Sequence, residues 1–159
     1  MKKSIQILVV FLFAIIASCS DDDDKNQSCR ETNVTMKVNG ELQMFQALGY
    51  GIDLRQNGYV LHLNIDRRSD SPFAEQGVAI ILPYKKTGRN IIQNFIYHQS
   101  KDGVSFDGDF TNGELESNVI TNTKNCFYAT FSGKLSDGNQ EIIITEGSMS
   151  YQYETPFDN

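Results

Sequence analysis

The sequence predicts an all-β domain, because turn signals recur along it and the segments between them suit strands. Asn-Gly and Asp-Gly pairs tolerate positive φ and favour tight hairpins. Such pairs stand at Asn39-Gly40, Asn57-Gly58, Asp102-Gly103, Asn112-Gly113 and Asp137-Gly138. The intervening segments are short and rich in β-branched and aromatic residues, which is typical of antiparallel sheets. We expect a single antiparallel β-sandwich of about 8–10 hairpin-connected strands, with a lipocalin-like β-barrel as the alternative.

Period-two alternation locates several strands and the side chains that they bury. In a strand with one packed face, every second residue points toward the core. The predicted inward positions are Val34, Met36 and Val38, then Leu61, Leu63 and Ile65, and late in the chain Phe127, Ala129, Phe131 and Leu135. The residues between them, such as Lys37, His62 and Tyr128, are expected on the outer face.

The middle of the chain predicts central strands. Val78–Leu82 is apolar on both faces, which indicates a strand with neighbours on both sides, and Pro83 would end its pairing. Ile91–Tyr97 is expected to be a similar strand, with a turn over 85–88 between the two. The polar segment 67–76 is interpreted as a longer loop.

The last strand changes parity near Gly147. Ile142 and Ile144 fall on one phase, whereas Met149 and Tyr151 fall on the other. A β-bulge at Glu146-Gly147 would insert one residue and bring both sets to the core side. The pattern therefore predicts that bulge.

The first residues have the layout of a secretory signal peptide, with Lys2 and Lys3 ahead of an apolar segment. That segment, Ile5–Ala17, is broken by Gln6 alone and is shorter than the roughly 20 residues that a membrane-spanning helix needs. Ile16-Ala17-Ser18-Cys19 resembles a bacterial lipobox, in which the cysteine is lipidated and becomes the first mature residue. A plain secretory signal with an incidental cysteine is the alternative.

Acidic residues follow the cysteine directly: Ser20, Asp21, Asp22, Asp23 and Asp24. This segment resembles the export signal of surface-exposed lipoproteins in Bacteroidota, which implies a domain facing outward from the outer membrane. The alternatives are a solvated acidic spacer and a periplasmic orientation. We therefore divide the chain into a signal peptide over 1–18, a lipidated acidic tether over 19–28 and a β domain over 29–157.

The charge of the chain disfavours nucleic acid as a partner. The net charge is −6, and nucleic-acid binding needs clustered Lys and Arg. The outer membrane, reached through lipid on Cys19, and a protein in that membrane are the expected partners.

The two cysteines other than Cys19 predict a disulfide. In an exported protein, Cys29 and Cys126 are expected to be oxidised. Such a bridge would pin the start of the domain to a late strand beside the tether, so that one end of the domain faces the bilayer. Two free buried thiols are the alternative.

A resemblance extends over most of the mature chain. Met36-Lys37-Val38-Asn39-Gly40, Phe131-Ser132-Gly133 and Ile144-Thr145-Glu146-Gly147-Ser148-Met149 are similar to segments of an uncharacterised family of small Bacteroidota outer-membrane lipoproteins. The resemblance implies a location at the outer membrane and an all-β fold, and it implies no activity.

Candidate chemistry is sparse. The acidic segment 107–114 departs from the EF-hand pattern and is interpreted as a β-turn. His62 and His98 lie in predicted strands, and a Ser/His/Asp site assembled from distant residues stays open. No metal or other cofactor is expected. Tyr50, Tyr59, Tyr128 and Tyr153 are candidates for a sugar-stacking face, although core roles are favoured.

Three functions follow as hypotheses. The first is a non-catalytic, surface-anchored binding or interaction module, which includes an accessory subunit of an outer-membrane complex. The second is a barrel that binds a small ligand in its interior, and the third is a hydrolase. An enzyme is not expected.

Overall fold

The structure, a computed structural model, describes residues 28–68, 74–101, 104–110 and 114–158. Its strands in these ranges are β1 (Asn33–Val38), β2 (Glu41–Arg55), β3 (Gly58–Arg68), β4 (Ala74–Pro83), β5 (Gly88–Arg89), β6 (Asn94–Lys101), β7 (Val104–Phe110), β8 (Glu116–Asn122), β9 (Cys126–Ser136) and β10 (Glu141–Gln152). All of their pairings are antiparallel. The predicted all-β antiparallel fold is therefore confirmed.

The strands form one continuous sheet that closes on itself. Its order is β10-β1-β2-β3-β4-β6-β7-β9, and a further pairing between β9 and β10 completes an eight-stranded ring. Of the two architectures considered from the sequence, this is the β-barrel. Closure leaves no free edge where β9 and β10 meet.

Two strands lie outside this ring. β9 pairs with β7 through Leu135 and Ser136 near its end, and with β8 from Phe127 to Ser132. β7 and β8 therefore share one edge of β9, and the short β5 pairs with β8. As a result, β8 and β5 form a short extension of the sheet that branches from β9 outside the ring.

Large side chains fill the barrel interior. The alternating positions predicted to face inward are all buried, which confirms the predicted phases of β1, β3 and β9. The largest fully buried side chains include Tyr97, Phe95 and Phe127. An eight-stranded barrel is just wide enough for side chains to fill it, and this interior is filled in that way.

Two boundaries predicted in the middle of the chain were wrong. The strand expected over Ile91–Tyr97 begins at Asn94, because Asn90 adopts a φ of 54° and turns the chain. Ile92 is nevertheless buried, so its apolar character reflects packing rather than pairing. At both ends of the loop expected over 67–76 the chain is still in paired strands, since Arg67 pairs with Gln76; residues 69–73 lie outside the described ranges.

The predicted turns and bulge can be compared with the structure where it describes them. Asn39 and Gly40 have φ of 50° and 86° and join β1 to β2 as a two-residue turn. Asp137-Gly138 lies in the β9–β10 turn. The pairing of β10 with β9 shifts between Ile144 and Gly147, which confirms the bulge. Asp102-Gly103 and Asn112-Gly113 lie outside the described residues.

One end of the barrel is fastened covalently. Cys29 and Cys126 form the predicted disulfide, with their Cα atoms 5.8 Å apart. The C-terminal segment returns to the same end, where the Phe157 amide donates to the Lys124 carbonyl. The ring of Tyr50 stacks on that of Tyr153 at a centroid distance of 4.6 Å there. We call this the disulfide end.

Helices that are long and apolar enough to cross a membrane are not found in the described part of the chain.

A polar groove as candidate functional site

A groove of about 660 Å³ lies on the outer side wall of the barrel, over β5, β8, β9 and β10. This volume is within the range of small-ligand sites. We call it the polar groove. Its concave shape can be derived from the strand register and from the lengths of the side chains on each strand.

The register places one row of polar side chains straight across the groove. Arg89 of β5 is opposite Asn118 of β8, and Asn118 is opposite Thr130 of β9. Thr130 in turn is opposite Ser148 of β10. The β9 and β10 positions of this row therefore carry short hydroxyl side chains, whereas its β5 end carries a long arginine.

A second row runs parallel to the first and has the same character. Glu116 of β8 is opposite Ser132 of β9, and both residues line the groove. Thr130, Ser132 and Ser148 thus form a floor of hydroxyl groups between longer side chains. Because these short side chains lie between longer ones, the surface is concave at this position.

The bulge in β10 supplies one wall. Glu146 has a φ of 52°, and the neighbouring Gly147 lies against Phe131. The Glu146 carboxylate forms an ion pair with Lys37 of β1. A bulge re-aims the side chains beside it, so the irregularity predicted from the sequence shapes this side of the groove.

Tyr128 lines one end of the groove and is half-buried. The guanidinium carbon of Arg30 lies 3.7 Å from the centre of its ring, as in a cation–π contact. Arg30 directly follows Cys29, so the disulfide to Cys126 holds the arginine close to this ring. A smaller cavity of about 270 Å³ lies on the other side, lined by Arg30, Cys29 and Tyr128 among others.

Ser117 carries a buried hydroxyl without a hydrogen-bond partner. The residue lines the groove and is 6% exposed, and its Oγ makes no hydrogen bond. Its backbone is satisfied, because its N–H donates to the Asn90 Oδ1 and its carbonyl accepts from the Asn90 N–H. Ser117 is opposite Phe131 of the core and shares the inward phase of Val119, so this hydroxyl faces the interior and not the open groove.

The charges of the groove walls balance. Arg89 is the cationic residue of the lining, Glu116 and Glu146 are the anionic ones, and Lys37, outside the lining, neutralises Glu146 through their ion pair. The groove therefore offers hydroxyl and amide groups in a setting without a strong field of either sign.

The histidines are placed apart from this groove. His62 Nε2 lies 2.9 Å from Asp53 Oδ2, and His98 Nδ1 lies 2.6 Å from Asp107 Oδ1. Both pairs lie between neighbouring strands, β2 with β3 and β6 with β7. Among the described residues, no serine hydroxyl hydrogen-bonds to either histidine.

The tyrosines proposed for sugar stacking are separated by the fold. Tyr128 lines the polar groove, whereas Tyr59 is exposed in the β2–β3 hairpin. Tyr50 and Tyr153 stack on each other at the disulfide end. Burial raises the pKa of the Tyr153 hydroxyl well above its usual range, as expected for a core residue.

The acidic segment 107–114, which was interpreted as a β-turn, is a strand in its first half. Asp107–Phe110 belongs to β7, where Asp107 is opposite His98; residues 111–113 lie outside the described ranges. In the parts of the chain that the structure describes, no three His, Cys, Asp or Glu side chains are grouped to hold a metal ion.

The predicted anchor and export residues, Cys19 and Ser20 to Asp24, lie outside the described residues. The described chain begins at Ser28, next to the disulfide.

Sequence reasoning missed most of the groove. The alternation of residues in β9 placed Tyr128, Thr130 and Ser132 on one outer face. This was the sequence pattern from which part of the groove could have been predicted. The contributions of Arg89 and Asn118 depend on the pairing of β5 with β8, which no local pattern in these segments indicates.

Comparison with protein-family models, with curated proteins and with solved structures finds no match to this chain.

Proposed function

We propose that this protein is a non-catalytic binding module, anchored to the outer membrane through lipid on Cys19 and displayed at the cell surface, and that the polar groove is its ligand-binding site. The observation that carries the proposal is the concave outer wall itself, in which the short hydroxyl side chains of Thr130, Ser132 and Ser148 lie between longer polar ones.

Because the interior is filled, the outer groove is a better candidate for the ligand-binding site than the inside of the barrel. Tyr97, Phe95 and Leu63 are buried at the centre of the described strands, so a ligand there would have to displace well-packed side chains. The His–Asp pairs likewise lie away from the groove and are each partly exposed. Binding on the outer wall needs neither rearrangement nor a nucleophile.

The position of the groove also fits an anchored protein. The chain enters the domain at Cys29, which is fixed to the disulfide end. The groove opens on the side wall, over the outward residues of β8 and β9. A barrel tethered at its disulfide end would therefore leave the groove accessible to a ligand.

Hydroxyl-radical footprinting tests the groove without knowledge of the ligand. The protein is labelled on its own cells and again after purification in detergent, and oxidation of Tyr128 is measured by mass spectrometry. Tyr59, exposed at the hairpin, is the internal reference. We expect Tyr128 to be protected on cells relative to Tyr59. Equal oxidation of Tyr128 in both samples would contradict a ligand in the groove.

Protease shaving of intact cells tests the display. We expect the domain to be released from wild-type cells, and we expect Cys19→Ser to leave the membrane fraction. A domain that resists protease until the outer membrane is permeabilised would contradict surface display.

A further inference from the structure

We propose that the polar groove binds a neutral oligosaccharide. This inference rests on the proposed function, because it names the ligand class of the same groove.

The floor matches a ligand that both donates and accepts hydrogen bonds. Thr130, Ser132 and Ser148 each offer a hydroxyl, which can do both. The carboxamides of Asn90 and Asn118 add further donors and acceptors. Sugar hydroxyls have this same dual character, and they are spaced around a ring rather than along one line.

The backbone under the groove is already paired, which disfavours an extended peptide. β9 has β8 on one edge and β10 on the other over this region, and β5 pairs with β8 at Asn118 and Val119. β9 therefore has no free edge at which a peptide could add a strand, and the open edge of the sheet at this groove is β5, which is only two residues long. Recognition on the floor would therefore use side chains, most of which carry hydroxyl, amide or carboxylate groups.

The balance of charge favours a neutral ligand over an acidic one. Arg89 and Lys37 offset Glu116 and Glu146, and Lys37 is already ion-paired with Glu146. A carboxylated or phosphorylated ligand would meet Glu116 and Glu146 as well as Arg89. Uncharged hydroxyls avoid that repulsion and hydrogen-bond to either sign.

Tyr128 provides an aromatic surface at the end of the groove. Its ring is held by the guanidinium of Arg30 at 3.7 Å, so little ordering is needed when a ligand arrives. The C–H groups of a sugar ring pack well on such a surface, which an amphipathic tyrosine combines with a polar hydroxyl.

Calorimetry with the whole protein in detergent provides the test. The probes are soluble neutral hexasaccharides of glucose, mannose, galactose and xylose, with hexagalacturonate as the acidic counterpart and a random peptide library as the peptide counterpart. We expect a neutral oligosaccharide to bind. We expect Tyr128→Ala to weaken that binding at least about tenfold and Thr130→Val, which removes a hydroxyl of the floor, to weaken it several-fold, whereas Tyr59→Ala leaves it unchanged.

The outcomes separate this inference from the proposed function. Peptide or acidic-sugar binding that Ser132→Trp abolishes would overturn the neutral oligosaccharide and keep the groove as the site. If no probe binds but Tyr128 is still protected on cells, the neutral oligosaccharide would also be overturned, and the groove would be kept as the site. Oligosaccharide binding that survives Tyr128→Ala, Thr130→Val and Ser132→Trp would overturn both proposals. Near-ultraviolet circular dichroism of each variant confirms that the fold is intact.

Discussion

Gly147 lies directly against Phe131, the residue opposite it on β9. A Cβ atom added at Gly147 would lie 2.4 Å from two atoms of the Phe131 ring and 2.6 Å from the Phe131 carbonyl oxygen. The bulge in β10 therefore depends on the absence of a side chain at this position. Because Gly147 also lines the groove, the same contact joins the packed interior to the proposed site.

We predict that Gly147→Ala destabilises the domain. The added methyl group must displace the backbone or the buried Phe131 ring, which costs about 1–3 kcal/mol. Urea denaturation measures the change in the free energy of unfolding. Gly51→Ala is the matched control, because a Cβ at Gly51 meets nothing within 4 Å. A loss in Gly147→Ala no larger than in the control would contradict the packing argument.

A pair of substitutions at Glu146 isolates the backbone strain of the bulge. Glu146→Ala and Glu146→Gly both remove the exposed ion pair with Lys37, but only glycine adopts a φ of 52° without a steric cost. We expect the glycine variant to be more stable than the alanine variant by about 1 kcal/mol in urea denaturation. Equal stability of the two variants would show that the bulge holds Glu146 without strain.

The disulfide is expected to contribute strongly to stability. Cys29 and Cys126 close a loop across a separation of 97 residues, which corresponds to at most about 4–5 kcal/mol in the chain-entropy model. We predict a loss of that order or less for Cys126→Ser, measured by urea denaturation. The same loss is expected on reduction of the wild-type protein, and reductant should not change the variant further. A variant as stable as the oxidised wild type would contradict this prediction.

Alkaline pH is expected to destabilise the barrel through its buried tyrosines. Burial raises the pKa of Tyr97 from 10.0 to about 12, so the folded protein holds this proton after the unfolded chain has lost it. The free energy of unfolding should therefore fall as the pH rises from about 10 to about 12, by no more than about 1.4 kcal/mol per pH unit for one group.

The variant Tyr97→Phe checks that assignment. It removes the titrating hydroxyl and the hydrogen bond to Gln99 Oε1, so it changes stability at neutral pH but should flatten the alkaline slope. Some slope should persist, because burial raises the pKa of Tyr153 as well. An unchanged slope in Tyr97→Phe would rule out Tyr97 as a source of the pH dependence.

The alternation of residues within each segment predicted the strands well, but it did not predict that the sheet closes into a barrel. Val34, Met36 and Val38 alternate with polar residues, and a parity change at Gly147 has few explanations other than a bulge. Whether the sheet closes, however, depends on β9 meeting β10 on one edge while sharing its other edge between β7 and β8. That arrangement is set by stagger and twist over the whole sheet, which alternation within a strand does not encode.

For the candidate site as well, the features encoded within one strand were predictable and those that depend on several strands were not. The outward hydroxyls of β9 are visible as alternation, because Tyr128, Thr130 and Ser132 occupy every second position. The unpaired Ser117 was not predicted, since it occupies an inward position where a small polar residue reads as an ordinary core neighbour. Its lack of a hydrogen-bond partner depends on side chains brought together from different strands.

The disulfide also determines how the domain would respond to mechanical force. A pull on the chain ahead of Cys29 is transmitted through a covalent bond to Cys126 at the start of β9, and not first through the hydrogen bonds that β1 makes with β2 and β10. β1 is therefore shielded from being unzipped by tension on the tether. When the chain ahead of Cys29 is pulled, the load would pass into β9, which is bonded to β7, β8 and β10, and the oxidised domain should unfold at a higher force than the reduced one.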